Sequence, residues 1–462
     1  MNRLPNRLKC VLLPCLVLLA VTLPHLEQGD FRRDTGRYAA VGLHMWTDGP
    51  FLVPYLNPQT PYFNKPPLGL WIHGAFLKTF GVRLTVARVP SVLAALGVVC
   101  LSVLTAMQIG SRAEAVVSGC VLALTYEFFR RTREISLDFW QLFFVMWAAY
   151  LVVTGAKSAR RWPVVVAGLP LGLALLCKPF VALGVIPILA LWLSILGRAR
   201  WIALLATAAL PLALLVAAPW HFYMWRLFGD AFLKQYLFHE VVQRAQGKLE
   251  SVQTGPWYYY AAAIVKSYWP WLAAIIFLGW RRWRGRTSRQ PSRDLAMLGG
   301  LWCGCTVVLL SLFPDKRINY ALPLYPMLSW AAAAGLCRMP WRAFRRWYRS
   351  GFAGLAPAAV AALLALGVAP IQFQKPPNKD WQALCTWMDR ESVAANQICQ
   401  RELDADEICY FYIKRGWWLA RCEPRAQGPR WVLTKEASEH DERSVIFRAG
   451  PLLVVQAPAN RP

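Results

Sequence analysis

"LLATAALPLALLVAAPW", residues 204–220, carries no charged side chain from end to end. A helix at the surface of a soluble core keeps a polar face opposite its apolar stripe, and this run has none. A bilayer is its natural solvent, because about 17–25 apolar residues in a helix cross the hydrocarbon core. Comparable blocks recur along all 462 residues, 56% of which are hydrophobic and 23 of which are tryptophan. Charged residues make up 16%, against about 25% for soluble domains, and the mean hydropathy is +0.34. These features define a polytopic α-helical membrane protein and exclude a soluble protein with a large core.

A net charge of +26 raises the question of nucleic acid, but the distribution answers it. The basic residues gather in short segments between apolar blocks: "KSARRW" (157–162), "GRARW" (197–201), "RRWRGRTSRQPSR" (281–293) and "RMPWRAFRRWYR" (338–349). Short Lys/Arg-rich loops mark the cytoplasmic side of a membrane protein. No zinc-finger, helix-turn-helix or base-stacking motif accompanies them, so no nucleic-acid partner is expected.

Window hydropathy and loop charge place spans at about 8–26, 85–110, 113–131, 135–155, 162–177, 179–197, 201–219, 257–280, 294–313, 318–338 and 352–373. With the N-terminus inside, all four basic loops fall in the cytoplasm. Segment 66–82 is apolar but short. It reads as an interfacial helix, since a twelfth span there would put later loops on the wrong side. The start of the chain has signal-peptide character but no small-residue cleavage site, so it is read as a retained anchor.

The odd span count sends the tail to the outer face. Residues 374–462 are polar, mixed in charge and long enough for a small α/β domain, giving a membrane domain over 1–373 and a soluble periplasmic domain over 374–462. The tail holds Cys385, Cys399, Cys409 and Cys422. Four cysteines in an oxidising compartment suggest two disulfides, with pairing left open. Zinc is the rival, without a CxxC spacing to favour it. The other eight cysteines lie in apolar spans as small core residues.

The same topology exposes the first outer loop (27–84), turns near 131–137, 178 and 314–317, and a long outer loop (220–256). The unusual ionisable residues collect there: Asp34, Arg37, Tyr38, Lys65, Arg133, Glu134, Asp138, Lys178, His221, His239, Glu240, Arg244, Lys316 and Arg317. Charges at membrane depth are expensive and tend to be paired or functional. Their convergence on one face suits chemistry on a lipid-linked substrate. A transporter instead places charges near the midplane of discontinuous helices, and few occur there. No GxGxxG or GxxxxGK[ST] loop is present for a nucleotide.

"RRDTGRY" (32–38), "PYFNKPPLGLWIHGAFLKTFG" (61–81) and "ARVPSVLAAL" (87–96) together resemble the first outer loop of GT-C fold glycosyltransferases. The similarity is to the bacterial aminoarabinose transferases of lipid A and the wider protein O-mannosyltransferase clan. "REISLDFWQLFF" (133–144), "CKPFVALGVIP" (177–187), "APWHFYMWRLFGDAFLKQYLFHEVVQR" (218–244), "YWPWLAAI" (268–275) and "PDKRINYALPLYPMLS" (314–329) follow in family order. The resemblance covers about 5–335, and the tail shares only its position. It implies a GT-C fold with about 11–13 transmembrane helices and a C-terminal extracytoplasmic domain. It also implies transfer of a sugar from a polyisoprenyl phosphate to a lipid or glycolipid acceptor, with inversion, at the outer face of the inner membrane.

Residue by residue, Asp34 and Tyr38 match the first acid and the tyrosine of the family's Asp-Glu-x-x-Tyr motif, with Thr35 replacing the glutamate. Asp34 is then a catalytic base or acceptor-orienting carboxylate; an N-cap for the following helix is the alternative. Lys65 matches the lysine on the donor phosphate, or else snorkels to headgroups. Asp138 matches the second catalytic acid, or else caps a span. Glu134, four residues earlier, shares its face if that helix begins early. Lys178, Lys316 and Arg317 are further phosphate contacts, or interface anchors. Arg37, Tyr38, Glu134, His239, Glu240 and Tyr320 are substrate-orienting candidates. His221, His239 and Glu240 with Asp34 form no recognised metal spacing; no cofactor is expected, with a divalent metal as the minor alternative. "GPWYYYAAAIVKSYWPWL" (255–272) reads as an interfacial aromatic belt that also offers faces for sugar stacking. Other readings of the chain are a protein O-mannosyltransferase-like enzyme, a sugar-lipid flippase, and a non-catalytic envelope assembly protein.

Overall fold

The computed structural model describes residues 4–31, 33–243, 254–284, 290–339, 378–401, 403–422, 431–435 and 444–456. The expected span at 352–373 lies outside them. In chain order the helices are α1 (Leu4–Thr22), α2 (Arg33–Trp46), α3 (Leu68–Phe80), α4 (Leu84–Ile109), α5 (Arg112–Ala123), α6 (Tyr126–Thr132) and α7 (Leu137–Ser158). There follow α8 (Trp162–Val166), α9 (Gly168–Leu175), α10 (Pro179–Ile195), α11 (Ala199–Leu204), α12 (Leu210–Leu233), α13 (Tyr259–Trp283), α14 (Gln290–Leu312) and α15 (Leu324–Leu336). The tail adds α16 (Lys379–Arg390) and α17 (Ala405–Arg415).

Among the described residues, five helices are long and apolar enough to cross a membrane: Leu84–Ile109, Leu137–Ser158, Ala199–Phe228, Tyr259–Trp280 and Asp294–Leu312. The chain is a multi-pass membrane protein. Shorter apolar helices occupy Trp162–Leu175 and Ala182–Ile195. The segment expected as one span at 113–131 is broken. A Ser111/Glu114 capping box opens α5, and Thr125 goes extended before α6 begins.

The chain divides into two compact units: 1–26, 63–69 and 88–371, and 27–62, 70–87 and 372–462. The division at 371/372 falls beside the expected boundary at 373, and most of the first outer loop groups with the C-terminal part rather than with the rest of the membrane domain.

In the larger unit α9 packs between α7 and α12, while α15 packs against α5, α13 and α14. The loop expected over 220–256 is instead helical as far as residue 243, broken at Gly229 (φ 54°) and continued as a π-helical stretch, Lys234–Gln243. The reason is visible in the spacing. Trp220, Met224, Phe232 and Tyr236 are all buried at four-residue intervals or their multiples, a helical stripe that the intervening charges disguise.

In the smaller unit a five-stranded sheet runs β4–β3–β5–β7–β6, built from β3 (Ile398–Gln400), β4 (Ala420–Arg421), β5 (Trp431–Thr434), β6 (Val445–Ala449) and β7 (Leu452–Gln456). The first outer loop contributes a two-stranded ribbon, β1 (Tyr55–Asn57) with β2 (Thr60–Pro61). Strands β4 and β5 both pair parallel to β3, and α17 packs on α2. Asp30, buried ahead of α2, takes a 3.0 Å ion pair from Lys414 and a 2.5 Å hydrogen bond from Tyr410. Of the four tail cysteines, Cys399 and Cys422 are bonded, while Cys385 and Cys409 are free. The expected second disulfide is absent because Cys409 is buried on α17, its thiol directed to the Leu56 carbonyl.

Helices α2 and α3 cross at two glycines. A Cβ on Gly74 would lie 2.0 Å from the Gly42 carbonyl oxygen. Replacing Gly74 by alanine should therefore cost about 1–3 kcal/mol through overpacking, read as a lowered thermal transition of the detergent-purified protein. Gly279→Ala, where the added methyl meets open space, should leave the transition unchanged or raise it.

Candidate active site

In the larger unit three separate segments are brought together. The Leu68 amide donates to the Leu176 carbonyl at 3.1 Å, tying the "NKPP" segment to the turn before α10. Gly69 lies so close to Leu137 that a Cβ there would sit 2.6 Å from the leucine Cδ2. Gln141 on α7 donates to the Lys178 carbonyl. Lys65, Asp138 and Lys178 thus sit on segments joined by direct contacts.

Asp138 lies in the first turn of α7, where a helix N-terminus favours a carboxylate. Lys178 is the N-cap of α10, with Pro179 next at the first helical position. Lys178 Nζ meets Asp138 Oδ1 at 2.6 Å, and both side chains are only about 20% exposed. Asn319 Nδ2 donates to Asp138 Oδ2 at 3.2 Å. The Lys178 ammonium also lies 4.9 Å from the Tyr320 ring centroid, within cation–π range. A carboxylate, an ammonium, an amide and an aromatic face therefore share one small volume. That set can orient a hydroxyl, accept its proton and offer a cation to a phosphate.

Asn319 was missed on the sequence, though it lies inside a quoted motif; neutral amides carry no signal of charge. Lys316 was expected on a phosphate and is placed otherwise. Its ammonium donates to the carbonyls of Leu310, Ser311 and Phe313 at 3.0, 2.8 and 2.5 Å. Three donors meet three acceptors, and the residue caps the C-terminus of α14. Arg317 pairs with Asp315 at 3.2 Å. Lys65 donates to the Asn64 carbonyl at 3.0 Å.

Glu134 does not share a helix face with Asp138, because α7 begins only at Leu137. It pairs instead with Arg130 at 2.9 Å and Arg131 at 3.4 Å. His221 bonds Tyr236 at 2.9 Å across the Gly229 break. His239 lies on the π-helical stretch, and the Glu240 side chain is outside the described residues. Among the described residues no three His, Cys, Asp or Glu groups converge as metal ligands.

Asp34, Arg37 and Tyr38 belong to the smaller unit, on α2. Asp34 is the second residue of that helix rather than its N-cap, and its side chain is 59% exposed with Arg37 3.8 Å away. Arg37 Nε donates to Asp406 of α17 at 2.9 Å. Tyr38 is half-buried. The guanidinium expected to orient substrate is thus part of the packing of α2 on α17.

The family described as dolichyl-phosphate-mannose-protein mannosyltransferase matches residues 64–225. An undecaprenyl phosphate-α-4-amino-4-deoxy-L-arabinose arabinosyl transferase of Pseudomonas aeruginosa (strain UCBPP-PA14) is 26% identical over 67% of this chain and 56% of its own length. The Erwinia tasmaniensis transferase of the same name is 28% identical over 64% of this chain and 53% of its own. Matches to the curated relatives span between 53% and 66% of their length. The crystal structure of ArnT from Cupriavidus metallidurans bound to undecaprenyl phosphate superposes with a TM-score of 0.73, covering 98% of this chain and 99% of that one at 18% identity. The fold is GT-C. The archaeal oligosaccharyltransferase AglB from Archaeoglobus fulgidus is a more distant GT-C neighbour, with a TM-score of 0.58, 16% identity, and coverage of 88% of this chain and 59% of that one.

The Asp138–Lys178 pair sets a test within this GT-C scaffold. Asp138→Asn or Lys178→Met alone should each lower the thermal transition, and the double variant should lose less than the sum. A coupling of about 1–3 kcal/mol is expected; strict additivity would remove the pair from the account.

Proposed function

We propose that this chain is an integral membrane glycosyltransferase. It moves a sugar from a polyisoprenyl-phosphate donor to lipid A or another glycolipid at the outer face of the inner membrane. The observation that carries the reading is the Asp138–Lys178–Asn319 cluster joined to the Lys65 segment. The similarity to undecaprenyl-phosphate aminoarabinose transferases supports the donor class.

In the proposed reaction the acceptor oxygen attacks the anomeric carbon opposite the leaving group. A new C–O bond forms, the bond to phosphate breaks, and the prenyl phosphate departs with the electron pair. Lys65 and Lys178 stabilise its developing charge. Asp34 or Asp138 takes the proton of the acceptor hydroxyl or holds the acceptor in line. The donor brings its own membrane anchor, so no nucleotide fold is needed. A protein O-mannosyltransferase-like reaction is the second reading, favoured by the family match over 64–225.

Purified protein in vesicles with a prenyl-phosphate sugar and lipid A should show transfer. Asp34→Asn, Asp138→Asn and Lys65→Ala should each reduce it by roughly 10²–10⁴-fold with normal expression. Near-native transfer by all three would overturn the site. A flippase would keep translocating after Asp34→Asn. Mass spectrometry of lipopolysaccharide from a deletion strain should find one sugar mass missing and a prenyl-phosphate sugar accumulating.

A further inference from the structure

Asp315 lies outside the cluster that faces substrate, yet it is buried at 3% exposure. A carboxylate is rarely placed there without partners. Arg317 Nε meets its Oδ1 at 3.2 Å, and the Tyr320 hydroxyl donates to its Oδ2 at 3.2 Å. Arg317 is the N-cap of a single 3-10 turn, Ile318–Ala321, and Tyr320 lies within it. The two grips fasten the cap and the body of that turn to one carboxylate. The Arg317 amide further donates to the Tyr260 hydroxyl at 3.3 Å, fixing the turn against α13.

The turn delivers two groups to the site. Asn319 reaches Asp138, and the Tyr320 ring lies beneath Lys178. A continuous chain of contacts therefore runs from the Asp315 carboxylate through the Tyr320 hydroxyl and ring to the Lys178 ammonium, and on to Asp138. We propose that Asp315 is a positioning residue for the Asp138–Lys178 pair, acting through Tyr320. It touches neither reacting atom. Its part is to hold the ring at the distance where the aromatic face favours the lysine cation, and to hold Asn319 on the free side of the carboxylate.

The proposal rests on the glycosyltransferase reading for its kinetic consequence, but its physical core is measurable without turnover. Tyr320→Phe deletes one oxygen and keeps the ring, so it releases the ring from Asp315 without removing it. Asp315→Asn keeps the volume and removes the charge. The full-length protein in detergent is acetylated with a water-soluble anhydride across a pH series, and Lys178 is followed by peptide mass spectrometry. Exposed Lys234 in the same digest is the internal reference.

Loss of the aligned ring should lower the pH midpoint of Lys178 acetylation by roughly half a unit or more in both variants, leaving Lys234 unmoved. In the transfer assay each variant should lose about tenfold in kcat with little change in donor KM, and the double variant should lose no more than the weaker single. An unmoved Lys178 midpoint, or equal shifts at Lys178 and Lys234, overturns the positioning role. A shifted midpoint with no transfer by the wild type leaves the positioning intact and sinks the transferase reading alone.

Discussion

A charge beside hydrocarbon must find a partner, and this constraint organises the larger unit. Asp138 and Lys178 each stand at the beginning of a helix and meet at 2.6 Å. Taking two charges out of water costs several kcal/mol per ion, and only close geometry with further hydrogen bonds offsets it. Asn319 and the Tyr320 ring supply those further contacts. The pairing in turn dictates which segments must be neighbours, since α7, α10 and the turn before α15 have no sequence proximity. Helix packing behind the site follows, with α9 held between α7 and α12.

The membrane class and the order of the elements were legible because they are written in long apolar blocks and short basic loops. The helices at Leu84–Ile109, Leu137–Ser158 and Asp294–Leu312 stand where hydropathy placed them. The stretch after Trp220 was misread because Arg226, Asp230 and Lys234 interrupt an otherwise regular buried stripe. Composition outweighed periodicity there. Asp138 and Lys178 were picked by residue type and by resemblance, but nothing in the sequence could pair them. Their partner Asn319 escaped notice, because an amide becomes informative only when its neighbours in space are known.

In the smaller unit the loop between α1 and α3 is not a free surface loop. Asp30 accepts from Lys414 and Tyr410, and Arg37 pairs with Asp406. Arg37, expected to orient substrate, is thus a joint between the loop and the C-terminal sheet domain, and Asp30 is another. Asp34 is different. It has the helix N-terminus behind it and an exposed carboxylate, so its charge is supported without being consumed. The Cys399–Cys422 bond follows the same logic of local economy: it joins β3 to the residue just after its parallel neighbour β4, where backbone pairing already holds the two chains together.

Lys178 and Lys316 show why residue type alone does not assign a phosphate ligand. Both stand at a helix end. Lys316 is held by three main-chain carbonyls at the end of α14; withdrawing it would leave those acceptors unmatched where water is scarce. Lys178 is held by a carboxylate. An arriving phosphate is an oxyanion too, and it can share or take over that contact without stranding a backbone group. In the proposed reaction that exchange would free Asp138 when the donor is bound, which is when an acceptor hydroxyl needs a base. The lysine whose partner is replaceable in kind is therefore the one that fits the proposed reaction.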